Sequence, residues 1–403
     1  MKQIPWSSLS ARSCRNRRKG CNFAWEQCKL GDVAKITMGQ SPNSKNYTDN
    51  PKDHILVQGN ADMKDGQVHP RIWTTEITKI ADKGDLILSV RAPVGDIGKT
   101  SYDVVIGRGV AAIKGNEFIF QLLKRMKTVG YWTKYSTGST FESINSLEIN
   151  NAVINLPKEH EQNKVGKILS YMDHAITLHE EKKRQLERLK SALLQKMFAN
   201  KSGYPVVRFE GFSDEWEQCK LSDISEKSYE KNTYNKYSTV LTNSAEYGIV
   251  KQRDFFDKDI ANSSNISGYY VVRKNYFVYN PRISNQAKFG PINRNKLDES
   301  GIMSPLYLVF TVHDIDVSFL ETLFQTTTWH RFMYQNGDTG ARADRFAIKD
   351  STFMSMPIKV PSLEEQHKLA LAFQKLDQTI TLHQRKLDLL KEQKKGFLQK
   401  MFV

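Results

Sequence analysis

The stretch most suggestive of chemistry is "RAPVGDIGKT", residues 91–100, where Gly95, Gly98, Lys99 and Thr100 have the composition of a phosphate-binding loop. A Walker A loop needs another glycine five positions before the Gly of its GKT, because successive backbone N–H groups must wrap the phosphates. Pro93 stands there and has no N–H, which argues against ATP binding. An adenine methylase needs an NPPY-type motif for its flipped base and a Gly-rich cofactor loop. The nearest match is "NPRI" (280–283), with no FxGxG elsewhere. A nuclease needs clustered carboxylates with a lysine on a strand edge, whereas Glu392 and Lys394 fall on a helical stretch as solvated charges. Cys14, Cys21, Cys28 and Cys219 form no CxxC pair, and no histidine lies near the first three, so they read as reduced thiols rather than zinc ligands. The chain reads as non-catalytic, with no metal or cofactor of its own.

Recognition chemistry is better represented. On DNA, phosphate contacts orient a protein and base-edge contacts specify sequence; arginine suits guanine, and asparagine or glutamine suits adenine. Polar, glycine-containing, basic loops are therefore the candidates. In the first half "GQSPNSKNY" (39–47) offers Gln40, Asn43, Lys45 and Tyr47, "QGN" (58–60) follows a strand, "RAPVG" presents Arg91, and "STGSTFESIN" (136–145) contributes Thr137 and Ser139. In the second half "LTNSAEY" (241–247) offers Asn243 and Tyr247, "RISNQAK" (282–288) offers Arg282, Asn285, Gln286 and Lys288, and "TGARADR" (339–345) offers Arg342 and Arg345. A shift of 191 positions carries Lys83 onto Lys274 and Arg91 onto Arg282. Both arginines follow an apolar strand. The competing reading for the loop residues is solvated turn chemistry, and for the two arginines a structural ion pair inside the domain.

The elements that would hold these loops are mixed α/β. In the first half 54–58, 85–90, 109–113 and 151–156 read as strands and 117–128 as a helix; in the second, 237–241, 268–272, 276–279 and 305–312 read as strands and 317–334 as a helix. Order and spacing match while side chains mostly differ.

Two repeats frame them. "AWEQCKLGD" (24–32) returns as "EWEQCKLSD" (215–223), and residues 156–198 align without a gap on 360–402, sharing the proline, Glu-Gln, "ITLH" and "QKMF". The closing segments read as long helices, each starting just after a proline, and Ser362 with Glu365 fits a capping box. Their apolar spacing alternates four and three: Val165, Leu169, Met172, Ile176, His179, Lys183, Leu186, Lys190, Leu193 and Met197, against Leu369, Phe373, Leu376, Ile380, His383, Leu387, Leu390, Lys394, Phe397 and Met401. Such a heptad seam has to be buried, and two copies related by a two-fold would pair antiparallel. His179 and His383 then fall near the pseudo-dyad, as a polar layer fixing register or as a partly exposed flank. Trp25 and Trp216 are expected to pack against equivalent surfaces.

With 403 residues the chain is long enough for two or three cores, and a net charge of +15 suggests a polyanionic partner. No apolar run approaches the roughly 18 residues of a membrane span, and the first 20 residues lack an apolar signal region, so a cytoplasmic location is expected.

The doubled WEQCKL opener, the Pro…Glu-Gln helix start, the "LDQTITLHQRKLDLLKEQKKGFLQKMF" helix and the tandem variable regions closely resemble the specificity subunit of type I restriction–modification systems. The resemblance covers about residues 24–403. It implies α/β (α+β) target-recognition domains in tandem, each followed by a long helix, with the helices paired as an antiparallel coiled coil of pseudo-two-fold symmetry. Expected boundaries are a divergent basic N-terminus at 1–23, a first target-recognition domain at 24–155, a central helix at 156–203, a second domain at 204–359 and a C-terminal helix at 360–403. The implied function is reading a bipartite, asymmetric target in double-stranded DNA and docking two adenine-methyltransferase modification subunits, with restriction and translocation subunits as further partners. S-adenosylmethionine would belong to the methyltransferase subunits. The alternatives are a DNA-modifying enzyme with unfamiliar motifs, or a coiled-coil adaptor that never touches DNA. One departure stands out: "YPVVRFEGFSDEWEQCKL" (204–221) is typical of the family, whereas the first opener is preceded by a run with Arg12, Arg15, Arg17, Arg18 and Lys19. A DNA-contacting arm, a disordered tail and a shifted reading frame all fit that run.

Overall fold

The computed structural model describes residues 25–135, 143–199, 202–255, 266–339 and 344–402. The chain divides into two compact units, residues 1–180 with 385–403, and residues 181–384. Each unit therefore combines a variable region with pieces of both closing helices.

In the first unit the opener strand Glu26–Lys29 pairs antiparallel with Val153–Leu156, setting Cys28 opposite Ile154. Behind this clasp stands a sheet in the order Ile36–Met38, Val110–Ile113, Leu86–Ser89, Ile97–Lys99, Gln67–Val68 and Met63–Lys64. Its central strands are buried along their whole length, as expected of apolar runs covered on both faces. The period-two alternation sorts their side chains: Leu86, Leu88, Ala111 and Ile113 join Phe118 and Leu122 of the helix Glu117–Thr128, while Ile87 and Ala112 join Val57 and Ile106. Val57 and Ile106 belong to a second sheet, ordered Tyr47–Thr48, Ile72–Thr74, His54–Val57, Val104–Ile106 and Ile80–Ala81.

The second unit repeats the plan. Glu217–Lys220 pairs with Pro357–Val360, Cys219 opposite Ile358. Its main sheet runs Ser225–Lys227, Leu308–Val312, Phe277–Tyr279, Ile292–Arg294, the same order as the first four strands above. Where the first unit has its second sheet, this one has two two-stranded antiparallel ladders, the hairpin Leu241–Ser244 with Gly248–Lys251 and the non-local pair Tyr270–Val272 with Gly301–Met303. The strand expected at 237–241 therefore starts later, at Leu241. The single helix expected over 317–334 is two, Val317–Phe324 and His330–Asn336. The break falls on Thr326–Thr328: Thr326 Oγ1 donates to the Leu323 carbonyl at 2.7 Å and so competes with the helical ladder.

The long helices are Glu159–Lys196 and Leu363–Met401. Their glutamines explain the Glu-Gln signature. Gln162 Nε2 donates to the Pro157 carbonyl (2.8 Å), and its Oε1 accepts from Asn116, the N-cap of the helix Glu117–Thr128 (2.8 Å). Gln366 does the same with the Pro361 carbonyl (2.9 Å) and the backbone N–H of the N-cap Asp316 (2.9 Å). The expected capping box forms only by half: Ser362 Oγ accepts from Glu365 N at 3.4 Å, but the Glu365 carboxylate is held by both ends of the Arg208 guanidinium at 2.8 and 2.7 Å. Gly166 is a close approach, since a Cβ there would lie 3.0 Å from Phe118 N.

Pairing is antiparallel within each unit. In the first, Asp173 bonds Lys394 and Glu180 bonds Lys391; in the second, Lys190 bonds Asp377 and Phe198 packs on Phe373. Leu169 and Phe373 are buried; Met172, Ile176, His179, Leu186, Leu376, Ile380, His383 and Leu390 are half-buried. Phe397, placed on the seam by its spacing, is instead 43% exposed, and Leu398 packs against the first core in its stead.

The helix ends finish both cores. In the first unit Trp25 meets Phe118 (5.4 Å) and Phe402 (6.0 Å) edge-on. In the second Trp216 meets Phe319 (5.8 Å) and Phe198 (6.0 Å). Among the described residues no helix is long and apolar enough to cross a membrane.

Phe402→Ala is expected to cost about 3–5 kcal/mol and to loosen the first unit, so that hydrogen exchange accelerates in Leu86–Ser89 before Phe277–Tyr279; Phe198→Ala should reverse that order. A second expectation concerns acid. Burial alone would raise the Asp173 carboxyl, but Lys124, Lys394 and Gln121 together hold it below the ordinary aspartate value. Its ionised form therefore stabilises the first unit above the unfolded-state value, and that stability is lost as pH falls through the lower folded-state value. Urea titrations below about pH 4 should show a shallower acid loss for Asp173→Asn than for the parent.

Candidate nucleic-acid interface

In the first unit, loops distant in sequence are drawn together at the ends of strands from both sheets by backbone hydrogen bonds. Gln40 N donates to Ile106 O (2.8 Å), Gly107 N to Val57 O (2.8 Å), Val90 N to Gly109 O (2.9 Å) and Ile144 N to Val90 O (2.9 Å). Arg108 N donates to Ser41 Oγ at 3.0 Å. Together they enclose a cleft of about 340 Å3 lined by Ser41, Tyr47, Gln58, Gly59, Asn60, Ser89, Arg91, Ala92, Arg108 and Gly109. Gly109 has to be glycine here, because a Cβ would lie 2.0 Å from Gln58 O. Arg91 forms an isolated antiparallel bridge with Ser143, and its carbonyl accepts from Ser89 Oγ at 2.9 Å, so its backbone is fixed while its side chain stays exposed. Arg108 is likewise exposed. The sequence reading passed over it, though an arginine between two glycines (107–109) after an apolar strand was the available signal. Gln58 is half-buried, and its Nε2 is shut away from solvent with no hydrogen-bond partner.

The other predicted residues of this unit are less uniform. Gln40, Asn43 and Lys45 are exposed near the cleft, but Asn43 Oδ1 already accepts from Lys45 N (3.1 Å), which is turn chemistry. Thr137 and Ser139 lie outside the described residues.

In the second unit Arg282 is exposed and bridges Arg345, just as Arg91 bridges Ser143. Arg282 N donates to Asn280 Oδ1 (3.0 Å), and Phe346 N donates to Pro281 O (2.7 Å). Reciprocal Ser284–Ala287 backbone bonds at 3.1 Å close a tight loop that leaves Asn285 and Gln286 exposed at its tip. Lys288 is exposed beside it; burial, with the nearby Lys288 charge, holds the His330 imidazole below its ordinary value. Tyr247 is 61% exposed at the turn of its hairpin. Arg342 lies outside the described residues.

Asn243 requires a correction. It is only 2% exposed, and its Nδ2 donates to Val278 O (2.7 Å) while its Oδ1 accepts from Asn293 Nδ2 (2.7 Å) and its carbonyl from Asn280 Nδ2 (2.8 Å). Its side chain ties together three strands and has no group left for a base. A loop asparagine and a ladder asparagine look alike in sequence, because the partners are 35–50 residues away.

A larger groove of about 530 Å3 in the first unit is rich in lysine. Its cations are largely engaged: Lys124 and Lys394 with Asp173, Lys127 with Asp96 and Lys391 with Glu180. Among the described residues no His, Cys, Asp or Glu side chains gather to hold a metal ion.

Comparison with known proteins agrees with this architecture. The MjaIX type I restriction enzyme specificity subunit of Methanocaldococcus jannaschii is 24% identical over 50% of the chain and 51% of its own length, and the protein assigned as the MjaX specificity subunit of the same organism is 32% identical over 44% and 43%. The chain thus spans about half the length of these two relatives. The MjaVIII specificity subunit is 21% identical over 93% of the chain and 91% of itself. The crystal structure of the type I restriction–modification S subunit from M. genitalium shares the fold, with a TM-score of 0.60 at 13% identity over 96% of this chain and 98% of that one. The model of the type I restriction modification DNA specificity domain matches twice, at residues 22–188 and 190–392, and the chain therefore belongs to that family.

Proposed function

We propose that the chain is a non-catalytic DNA-specificity subunit, each unit reading one half of a split, asymmetric target. The observation that carries this is the matched pair Arg91 and Arg282. They occupy equivalent places after equivalent central strands, both bridge the segment leading to the last strand of their unit, and both are exposed. Around them the loops mostly differ in sequence, as two dissimilar half-sites require. A net charge of +15 favours a polyanion. The seam of Leu169, Met172, Ile176, His179, Leu186, Phe373, Leu376, Ile380, His383 and Leu390 supports a paired-helix platform on which adenine-methyltransferase subunits, carrying S-adenosylmethionine, would dock. Restriction and translocation subunits would join the same assembly. Each partner methyltransferase would flip its adenine out of the stack.

The deciding experiment is co-expression with the modification subunit, followed by mapping methylated adenines across a genome. Replacing residues 204–359 with another second domain should change one half-site and leave the other. Methylation without sequence preference, or robust cleavage or methyl transfer by the chain alone, would overturn the proposal. Arg282→Ala should weaken specific binding about tenfold. If the arginine meets phosphate, the slope of log K against log salt should also fall by about one. Asn243→Ala, in contrast, should lower the melting temperature and leave the target unchanged.

A further inference from the structure

We infer that Gln58 is a sequence-reading residue of the first unit, and that it reads an adenine by its major-groove edge. The inference rests on the DNA-reading function proposed above and deepens it.

The backbone of Gln58 is held from both sides. Its N–H donates to Asp62 Oδ2 at 2.8 Å, with the Gly59 N–H on the same oxygen at 3.3 Å. Asp62 is itself only 6% exposed, and its own N–H donates to the Gly59 carbonyl at 3.1 Å. On the other side Gly109 leaves room for the Gln58 carbonyl, and Gly107 lies against its side chain, a Cβ there falling 3.2 Å from Gln58 Cγ. A side chain on so fixed a backbone is placed before any ligand arrives, which recognition sites require.

Its amide, however, is unused. A buried amide N–H without a partner is destabilising. A packing role would be filled better by leucine. The second unit shows how this fold treats a structural carboxamide: Asn243 has both amide ends bonded within the domain. Gln58 instead lines a cleft whose rim carries two exposed arginines, Arg91 and Arg108. The terminal torsion of glutamine is soft, so the amide can turn both of its ends toward a base.

The choice of base follows from the donor–acceptor pattern. A carboxamide presents one donor and one acceptor side by side. Adenine offers the complement, N7 as acceptor and N6–H as donor. Guanine offers two acceptors on that edge and sets one against the carboxamide oxygen. The arginines would serve the flanking phosphates or a neighbouring guanine.

The test uses the complex of this chain with its modification subunits. Wild type, Gln58→Leu and Gln58→Glu would be compared in competition binding against every single-base variant of the mapped target. Wild type should discriminate about tenfold to a hundredfold at one A·T pair of the first half-site. In Gln58→Leu that preference should fall to within about twofold, with the second half-site and the melting temperature preserved. Should the leucine variant fail to fold, the isosteric Gln58→Glu decides, since a carboxylate favours the cytosine amino group and should lose the adenine preference. Unchanged discrimination at every position in a folded variant would overturn the inference, as would a parallel loss at all positions. A wild-type complex with no sequence preference would instead remove the proposed function itself, and this inference with it.

Discussion

Each unit depends on three aromatic rings supplied by three remote parts of the chain. Trp25 comes from the opener, Phe118 from the domain's own helix and Phe402 from just past the end of the second long helix; Trp216, Phe319 and Phe198 repeat the arrangement. The helix that leaves the first variable region therefore ends inside the core of the second unit, and the one that leaves the second ends inside the core of the first. Each helix is anchored by a buried glutamine near its start (Gln162, Gln366) and followed by a buried phenylalanine (Phe198, Phe402), so neither can gain or lose a residue without withdrawing a phenylalanine from a core. That constraint accounts for closing segments that align without a gap while the regions between them differ in length.

The same logic explains the glutamines. Gln162 and Gln366 each satisfy a proline carbonyl at the start of a long helix and hold the N-cap of the domain helix beside it. Helix starts carry unpaired N–H groups and neighbouring carbonyls that have to find partners, and one side chain serves both needs. The neighbouring glutamate is used differently in the two units: Glu161 accepts from the Trp25 indole at 3.1 Å, whereas Glu365 is occupied by Arg208. In the second unit the Trp216 indole N–H is left buried without a partner. Here the leader sequence that differs between the halves has a direct structural consequence.

Where signals are local, the sequence was legible. The helix Glu117–Thr128 coincides with the 117–128 expected from its sequence, because its apolar residues repeat at helical spacing. The buried central strands read as short apolar runs for the same reason. Failures came where side-chain hydrogen bonds or tertiary packing overrode the apolar pattern. The threonines at 326–328 break a pattern whose apolar residues alone suggest one helix. Phe397 fits the heptad but faces outward, its place taken by Leu398 near the helix end. Asn243 looked like a loop contact until its strand partners were visible.

The sequence by itself determined the doubled plan, the main buried strands, the domain helix of the first unit, the paired closing helices and the correspondence of Arg91 with Arg282, because repeats and periodicities are legible along the chain. Only the tertiary structure decided which polar groups remain available. Ser41 and Arg108 meet across 67 positions, and Gly107 and Gly109 close on Gln58, just past the strand His54–Val57. Whether an amide is spent inside a domain, as at Asn243, or left over in a cleft, as at Gln58, depends on hydrogen bonds between strands far apart in the chain, and no local pattern records them.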